Sequence, residues 1–418
     1  MKLTTFLTLA TIVAMTACQQ NIAQPMPIEE QTKEQQQQEE SAEQKQINLS
    51  QSELQMVSSN NNFAFNLFRT AQEDKSQILS PLSITYALSL LNNGATGETQ
   101  QEINQTLGFF ETDIDSINVF CKKMLEESPT LDKGTKVLIG NTIYTNKGYT
   151  LKSDFVKKAK EYFDATPESR DFHDGKTLNV INRWASDHTN KMIEQVLDEQ
   201  TFNPDAVSYL LNAIYFKGSW AKKFDKKQTK EEPFNGKGKV MMMSQEEKLY
   251  YADNDYFSSV ELPYGNGSFR MTVMLPHEDK TIDDVLDYLS SKTWRDNGNR
   301  MRKCLVDLKL PRFETKTDME LNKIMQKLGI TKAFTNAAEF DRFCDISTKI
   351  DLIKQVARIK LDEEGTEAAA VTVIGSKVAS AAPREPERVV FHADRTFLYV
   401  ISEQSSEAIF FIGKYTGQ

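Results

Sequence analysis

Residues 207–220 read VSYLLNAIYFKGSW, and the reading of this stretch decides the fold. From Val207 to Phe216 every residue except Ser208 and Asn212 is apolar or aromatic. The run is too short to span a bilayer, and it reads as a central strand covered on both faces. Asn212 then stands as a buried polar group in the middle of that strand.

Working outward, helical patterns come first. Ile84, Ala87, Leu88 and Leu91 recur at helical spacing, and Asn93-Gly94 ends that helix. A further helix begins over 98–106, and 151–163 and 178–196 are amphipathic. Phe63, Phe65, Leu67 and Phe68 precede a turn. Strands are expected at 137–144, 240–243, 258–263, 269–275, 304–310, 389–391, 397–401 and 408–413, with helices near 282–289 and 319–328. Helices lead and strands dominate the second half, with no repeat and no linker after residue 49. This predicts an α+β fold: one domain, 49–418, with N-terminal helices and large mixed sheets.

The 418 residues carry a formal net charge of −9, which argues against a general nucleic-acid binder. Lys2 and the short apolar stretch 3–15 form a signal-peptide pattern. It ends in Met15-Thr16-Ala17-Cys18, which resembles a bacterial lipobox with cleavage after Ala17 and lipid on Cys18. The expectation is a signal peptide over 1–17 and a Gln/Glu-rich tether over 18–48 holding the domain off a membrane, with the lipid as its one anchor. The predicted location is the bacterial cell envelope, as an outer-membrane lipoprotein facing the periplasm or the cell surface. Cys121, Cys304 and Cys344 do not form a disulfide framework, and the spacing leaves one pair or three idle thiols open. His173, His188, His277 and His392 are far apart in sequence, so no metal site and no cofactor is expected.

Enzyme signatures are missing. The sequence holds no GxSxG, HExxH, GxGxxG or phosphate loop. Glu363 and Glu364 are adjacent, and adjacent strand residues point to opposite faces. They read as solvated charges at a loop entrance.

The chain from about Phe63 to Tyr415 resembles the serpin family of protease inhibitors. Ser80-Pro81-Leu82-Ser83 with Ala87, 94–99 (GATGET), Asn182-Arg183-Trp184 with Thr189, and 212–220 with Phe224, Thr229 and Phe234 carry the resemblance. So do Glu261-Leu262-Pro263-Tyr264, Pro311-Arg312-Phe313, Leu328-Gly329-Ile330 and 391–395 (FHADR). The most telling piece is Glu363-Glu364-Gly365-Thr366-Glu367-Ala368-Ala369-Ala370, similar to the hinge of an inhibitory reactive loop spanning about 363–388. Gln355 departs from the family, where a His is common. Thr396 stands for a usual Pro and Lys191 for a usual Gly. The resemblance implies a sheet-opening region at Ser80, Ser83, Asn212, Trp220 and Gln355.

It also implies a mechanism. A protease cuts the exposed loop, remains bonded as an acyl-enzyme, and is carried away as the loop enters a sheet. The pattern is compatible with that fate. Thr366, Ala368, Ala370, Thr372 and Ile374 fall on one face, none charged, and no Pro interrupts before Pro383. Gly365 reads as a flexible pivot. The scissile bond is expected at Ala379-Ser380, which suits an elastase-like protease, with Lys377-Val378 the trypsin-like alternative. The expected partner is thus a serine protease in covalent complex with a monomeric inhibitor. Polyanion activation is not expected from the acidic 111–128 region. The second function class is a binding or adhesion lipoprotein that uses this fold without inhibiting.

Overall fold

The computed structural model describes residues 44–236, 238–366 and 386–417. Helix α1 (Gln51–Ala71) is followed by β1 (Gln77–Leu79), α2 (Pro81–Asn92), α3 (Gly97–Leu107) and α4 (Ile114–Glu127). Then come β2 (Lys136–Asn146), α5 (Ser153–Phe163), β3 (Glu168–Arg170), α6 (Thr177–His188), β4 (Ser208–Ser219), β5 (Lys230–Phe234), β6 (Gly238–Asp253), β7 (Phe257–Tyr264) and β8 (Phe269–Pro276). Helices α7 (Ile282–Tyr288) and α8 (Ser291–Arg300) precede β9 (Arg302–Pro311), β10 (Phe313–Glu320) and α9 (Asn322–Leu328). The chain finishes with β11 (Leu352–Asp362), β12 (Gly365–Thr366), β13 (Arg388–His392), β14 (Phe397–Glu403) and β15 (Ile409–Tyr415).

Among the described residues the strands form two sheets. The first runs β1-β15-β14-β8-β7-β6-β9-β13, with β5 also on β6; the second runs β10-β11-β12-β4-β2-β3. This is the expected α+β architecture. Helix α1 starts with a capping box: the Ser50 hydroxyl accepts the Glu53 N–H, and the Glu53 carboxylate accepts the Ser50 N–H. Helix α2 starts with Ser80 as cap and Pro81 in its first turn, and all twelve of its residues are buried. It packs between β15 and β4, so it links the two sheets.

Strand β4 is buried on both faces, as its sequence suggested. Leu210, Ile214 and Phe216 face the main core. Tyr209, Leu211 and Ala213 face a second cluster with Ile181 and Ala185 of α6 and with Ile193, Val196 and Leu197. Helix α6 and the segment after it therefore lie over the outer face of the second sheet.

Several local expectations are corrected. Phe63, Phe65, Leu67 and Phe68 do precede a bend, at 74–75, but they lie on the buried face of a helix, α1, that the sequence reading did not include. The helix expected over 178–196 stops at His188, because Asn190 and Lys191 take left-handed backbone at φ 51° and 64°. That geometry explains why Gly is usual at position 191. Met319, expected in a helix, is the inward end of β10, where Phe313, Thr315, Thr317 and Met319 alternate with exposed residues. Thr396 donates its N–H to Asn235 Oδ1 at 2.8 Å, a bond a proline could not make. Residues 44–48, read as the end of the tether, pack on the domain: Gln44 Nε2 donates to Gly267 O at 3.0 Å, and Ile47 is buried.

Candidate functional site

Strands β4 and β11 run parallel and pair directly from Leu352↔Tyr209 to Arg358↔Tyr215. Above that rung they part. Strand β12 enters the gap and is antiparallel to both neighbours: Thr366 pairs with Leu361 of β11 and with Gly218 of β4. The second sheet is thus a closed seam below and an open fork above, with the first two residues of a further strand already in the fork. Glu363 and Glu364 form the tight turn between β11 and β12.

The fork needs glycine on both sides. Gly365 has φ 143°, and a Cβ there would lie 2.2 Å from Gly218 O. A Cβ on Gly218 would approach the Tyr264 ring to 2.9 Å. Gly365 was read as a flexible pivot; its role here is close approach to β4. Thr366 is fully buried, and its hydroxyl meets the Tyr264 hydroxyl at 2.8 Å. Its side chain faces the core, as the alternation predicted. Burial pushes the Tyr264 phenol well above its ordinary range.

The two hinge carboxylates were read as solvated, and the structure corrects this. Glu363 is buried; its Oε1 accepts from Thr229 Oγ1 at 2.7 Å and lies 3.8 Å from Arg312 Nη1. Glu364 is bridged by Lys223 at 2.6 Å and Lys226 at 3.1 Å. Hydrogen bonds from Lys223 and then Lys226 hold its carboxyl below the usual carboxylate range. The backbone is held from the same loop: Trp220 N–H donates to Glu364 O and Phe224 N–H to Glu363 O, both at 2.9 Å. Because 220–229 follows directly from β4, the strand that borders the fork also carries its clasp.

A buried polar cluster closes the seam lower down. Gln355 Nε2 donates to Asn212 Oδ1 at 2.6 Å and to Ser80 O at 3.1 Å, and Gln355 Oε1 accepts from Ser80 N–H at 3.0 Å. Asn212 Nδ2 donates to Asn141 Oδ1 at 2.7 Å and to Ser83 Oγ. A glutamine bonds to both Asn212 and the start of α2, so the departure from the usual His leaves a complete lock.

Of the residues expected in the sheet-opening region, Ser80, Ser83, Asn212 and Gln355 come together. Trp220 does not. It lies at the fork, where its indole N–H donates to Asp362 O at 3.0 Å and its ring stacks on Tyr264 with centroids 4.5 Å apart. Of the hinge, Glu363, Glu364, Gly365 and Thr366 are placed as above. Glu367, Ala368, Ala369 and Ala370, the bonds Ala379-Ser380 and Lys377-Val378, and Cys18 lie outside the described residues. Sequence reasoning missed Asn141, Tyr264, Lys223 and Lys226. Asn141 pairs with Asn212 across β2 and β4, and a polar residue in the predicted strand 137–144 was the available signal. Cys121, Cys304 and Cys344 are free and buried, and no acid, His or Cys cluster among the described residues could hold a metal ion.

The comparisons agree with this geometry. The family model described as Serpin (serine protease inhibitor) matches residues 58–417. The chain belongs to the serpin family. It is 29% identical over 384 residues to Iripin-2 of Ixodes ricinus, covering 87% of this chain and 94% of that protein. It is 31% identical over 382 residues to human Serpin B8, covering 86% and 99%. Among solved structures, the thermophilic serpin tengpin in the native state superposes with a TM-score of 0.80 at 26% identity, covering 90% of this chain and 96% of that one. Serpins are in general protease inhibitors that form covalent complexes with their targets rather than enzymes, and some members do not inhibit.

Proposed function

We propose that this chain is an inhibitory serpin that traps a serine protease as its acyl-enzyme by inserting the cleaved loop between β4 and β11. The observation that carries this reading is the seating of β12 in register with both strands. Carried forward two residues at a time, that register sets Ala368 between Phe216 and Ile359, Ala370 between Ile214 and Ala357, and Ile374 between Leu210 and Ile353. These flanking residues are all buried in the main core, so only small or apolar side chains fit. Thr372 falls between Asn212 and Gln355, the one polar rung on the core-facing side of the seam. The sequence matches the slot rung by rung.

Insertion replaces the direct pairs of β4 with β11 by two antiparallel ladders, each as long as the one lost. It buries an additional strand. About 15 residues at roughly 3.3 Å each carry the attached protease on the order of 50 Å. Ala379-Ser380 is the proposed scissile bond, with an elastase-like target; Lys377-Val378 would instead direct the loop to a trypsin-like one. We place the protein in the bacterial cell envelope through lipid on Cys18, and Cys18→Ser is expected to release it from the membrane fraction. Among the described residues no helix is long and apolar enough to cross a membrane.

Incubation with elastase and trypsin tests the reading. An inhibitor gives complexes that survive SDS, and the mass of the released fragment identifies the bond. A binding or adhesion protein on this fold gives cleaved chain and no complex.

A further inference from the structure

Tyr264 is the last residue of β7, with no exposed surface. Its ring cannot swing away. Trp220 stacks on it with planes 13° apart, and Phe216 meets it edge-on at 5.1 Å. Gly218 passes so closely that even a Cβ there would crowd the ring. The phenol oxygen is therefore a fixed point below the fork, and its hydrogen-bond partner among the described residues is Thr366 Oγ1. Thr366 reaches that oxygen only when β12 is seated. Withdrawal would leave a phenol without a partner in the core, along with the edge groups of Gly218 and Leu361, and groups of that kind are costly when unpaired.

We infer that Tyr264 is a positioning residue for loop insertion, resting on the inhibitory reading: it holds Thr366 in the fork before any protease arrives. The register shows why the bond helps rather than hinders. Thr366 occupies the same rung in the intact chain and in a fully inserted strand, so the Tyr264–Thr366 bond persists through insertion. It disfavours only the state in which the hinge is out. After cleavage, insertion competes with hydrolysis of the acyl-enzyme. A hinge already seated extends a strand end; a hinge that is out must first be brought into the gap, which adds an entropic step before any ladder forms. Trp220 serves the same end through its contacts with the Tyr264 ring and with Asp362 O, fixing ring and turn relative to each other.

The test uses the full chain with Tyr264→Phe, which keeps the ring and its stacking and removes only the hydroxyl, and Thr366→Val, which keeps the shape of the hinge residue. Hydrogen exchange over 359–366, followed by mass spectrometry with no target protease present, reads the seat directly. Each variant should exchange about two- to tenfold faster there, the range that one hydrogen bond supplies. The ratio of cleaved to trapped inhibitor should rise by a similar factor, while the rate of loop cleavage stays unchanged. The double variant should be no worse than the worse single variant, because both act through one bond. Thr366→Ser, which keeps the hydroxyl, should restore the wild-type partition. Unchanged exchange in Tyr264→Phe, with the wild type still trapping protease, overturns the positioning role alone. A wild type that traps no protease overturns the inhibitory reading and the role built on it, even if exchange at the hinge responds.

Discussion

Asn212 and Gln355 share one rung of the parallel pair β4–β11, and their side-chain amides meet at 2.6 Å inside the core. A strand entering between them would set their backbones about 9–10 Å apart, twice the normal strand spacing. Their bond and an inserted strand are mutually exclusive. The seam is held by a contact that the proposed activity must break.

Gln355→Leu should therefore loosen the seam. It leaves Asn212 Oδ1 and the Ser80 N–H without their partner, at about 1–3 kcal/mol for each buried group, while Ser80 O keeps the Ile84 N–H. A loss of about 3 kcal/mol is expected in urea unfolding, together with faster uptake of a synthetic peptide matching residues 366–379. Unchanged stability and uptake would show that the cluster does not hold the sheet shut.

Gly365→Ala should expel the hinge. The φ of 143° and the approach to Gly218 O leave no room for a Cβ. The expected result is a variant that folds, exposes Thr366 to exchange, and is cut by the target protease with little trapping. Wild-type trapping by this variant would contradict the geometry of the fork.

Thr366→Arg would place a charge in the fork. Thr366 has no exposed surface, so a guanidinium there is buried beside Tyr264 without a carboxylate, costing several kcal/mol. The variant should become a substrate, whereas Glu367→Arg, one residue on and on the opposite face of the inserted strand, should do far less harm. SDS-stable complexes from Thr366→Arg at the wild-type ratio would falsify insertion through this hinge.

Cleavage near Ala379 should raise the melting temperature substantially, since an added strand fills the seam. Differential scanning calorimetry of intact and nicked protein measures this; a lower or equal melting point after nicking rules out insertion.

The clasp on Glu364 should depend on pH. Its folded pKa lies below the ordinary 4.5, so its contribution is fully present above pH 4.5 and is lost as pH falls through the depressed value. Exchange at 359–366, corrected for the intrinsic pH dependence of exchange, should accelerate on acidification below that point. Glu364→Gln should show the accelerated rate at neutral pH and no further acid response. An identical acid profile in both proteins would assign the effect elsewhere.

Much of the fold was readable because burial wrote itself into the residues. Strand β4 is apolar on both faces, and Asn212 was conspicuous as its one central amide. Strand β10 was hidden because two of its four inward residues are Thr, which blurs the alternation of FETKTDME. The end of α6 was hidden because Lys191 accepts a left-handed backbone that Gly would have announced. At the site, the hinge motif and the Ser80, Ser83, Asn212 and Gln355 group were legible one residue at a time. The clasp was not. Lys223 and Lys226 look like ordinary surface charge, and only the return of β11 beside β4 brings Glu364 between them. Tyr264 was visible in a motif, but its partner lies a hundred and two positions later.

Strand β15 pairs with β1 and β14 and lies against α1 and α2. This has a consequence for biosynthesis. At roughly 5–20 residues per second, α1 leaves the ribosome on the order of tens of seconds before the strand that covers it. Until then the buried face of α1, with Phe63, Phe65 and Phe68, lacks the part of its cover that β15 supplies, so the core stays incomplete and open to chaperones until nearly the whole chain has been made. On the export proposed above, which requires a chain not yet folded, that late completion would be an advantage.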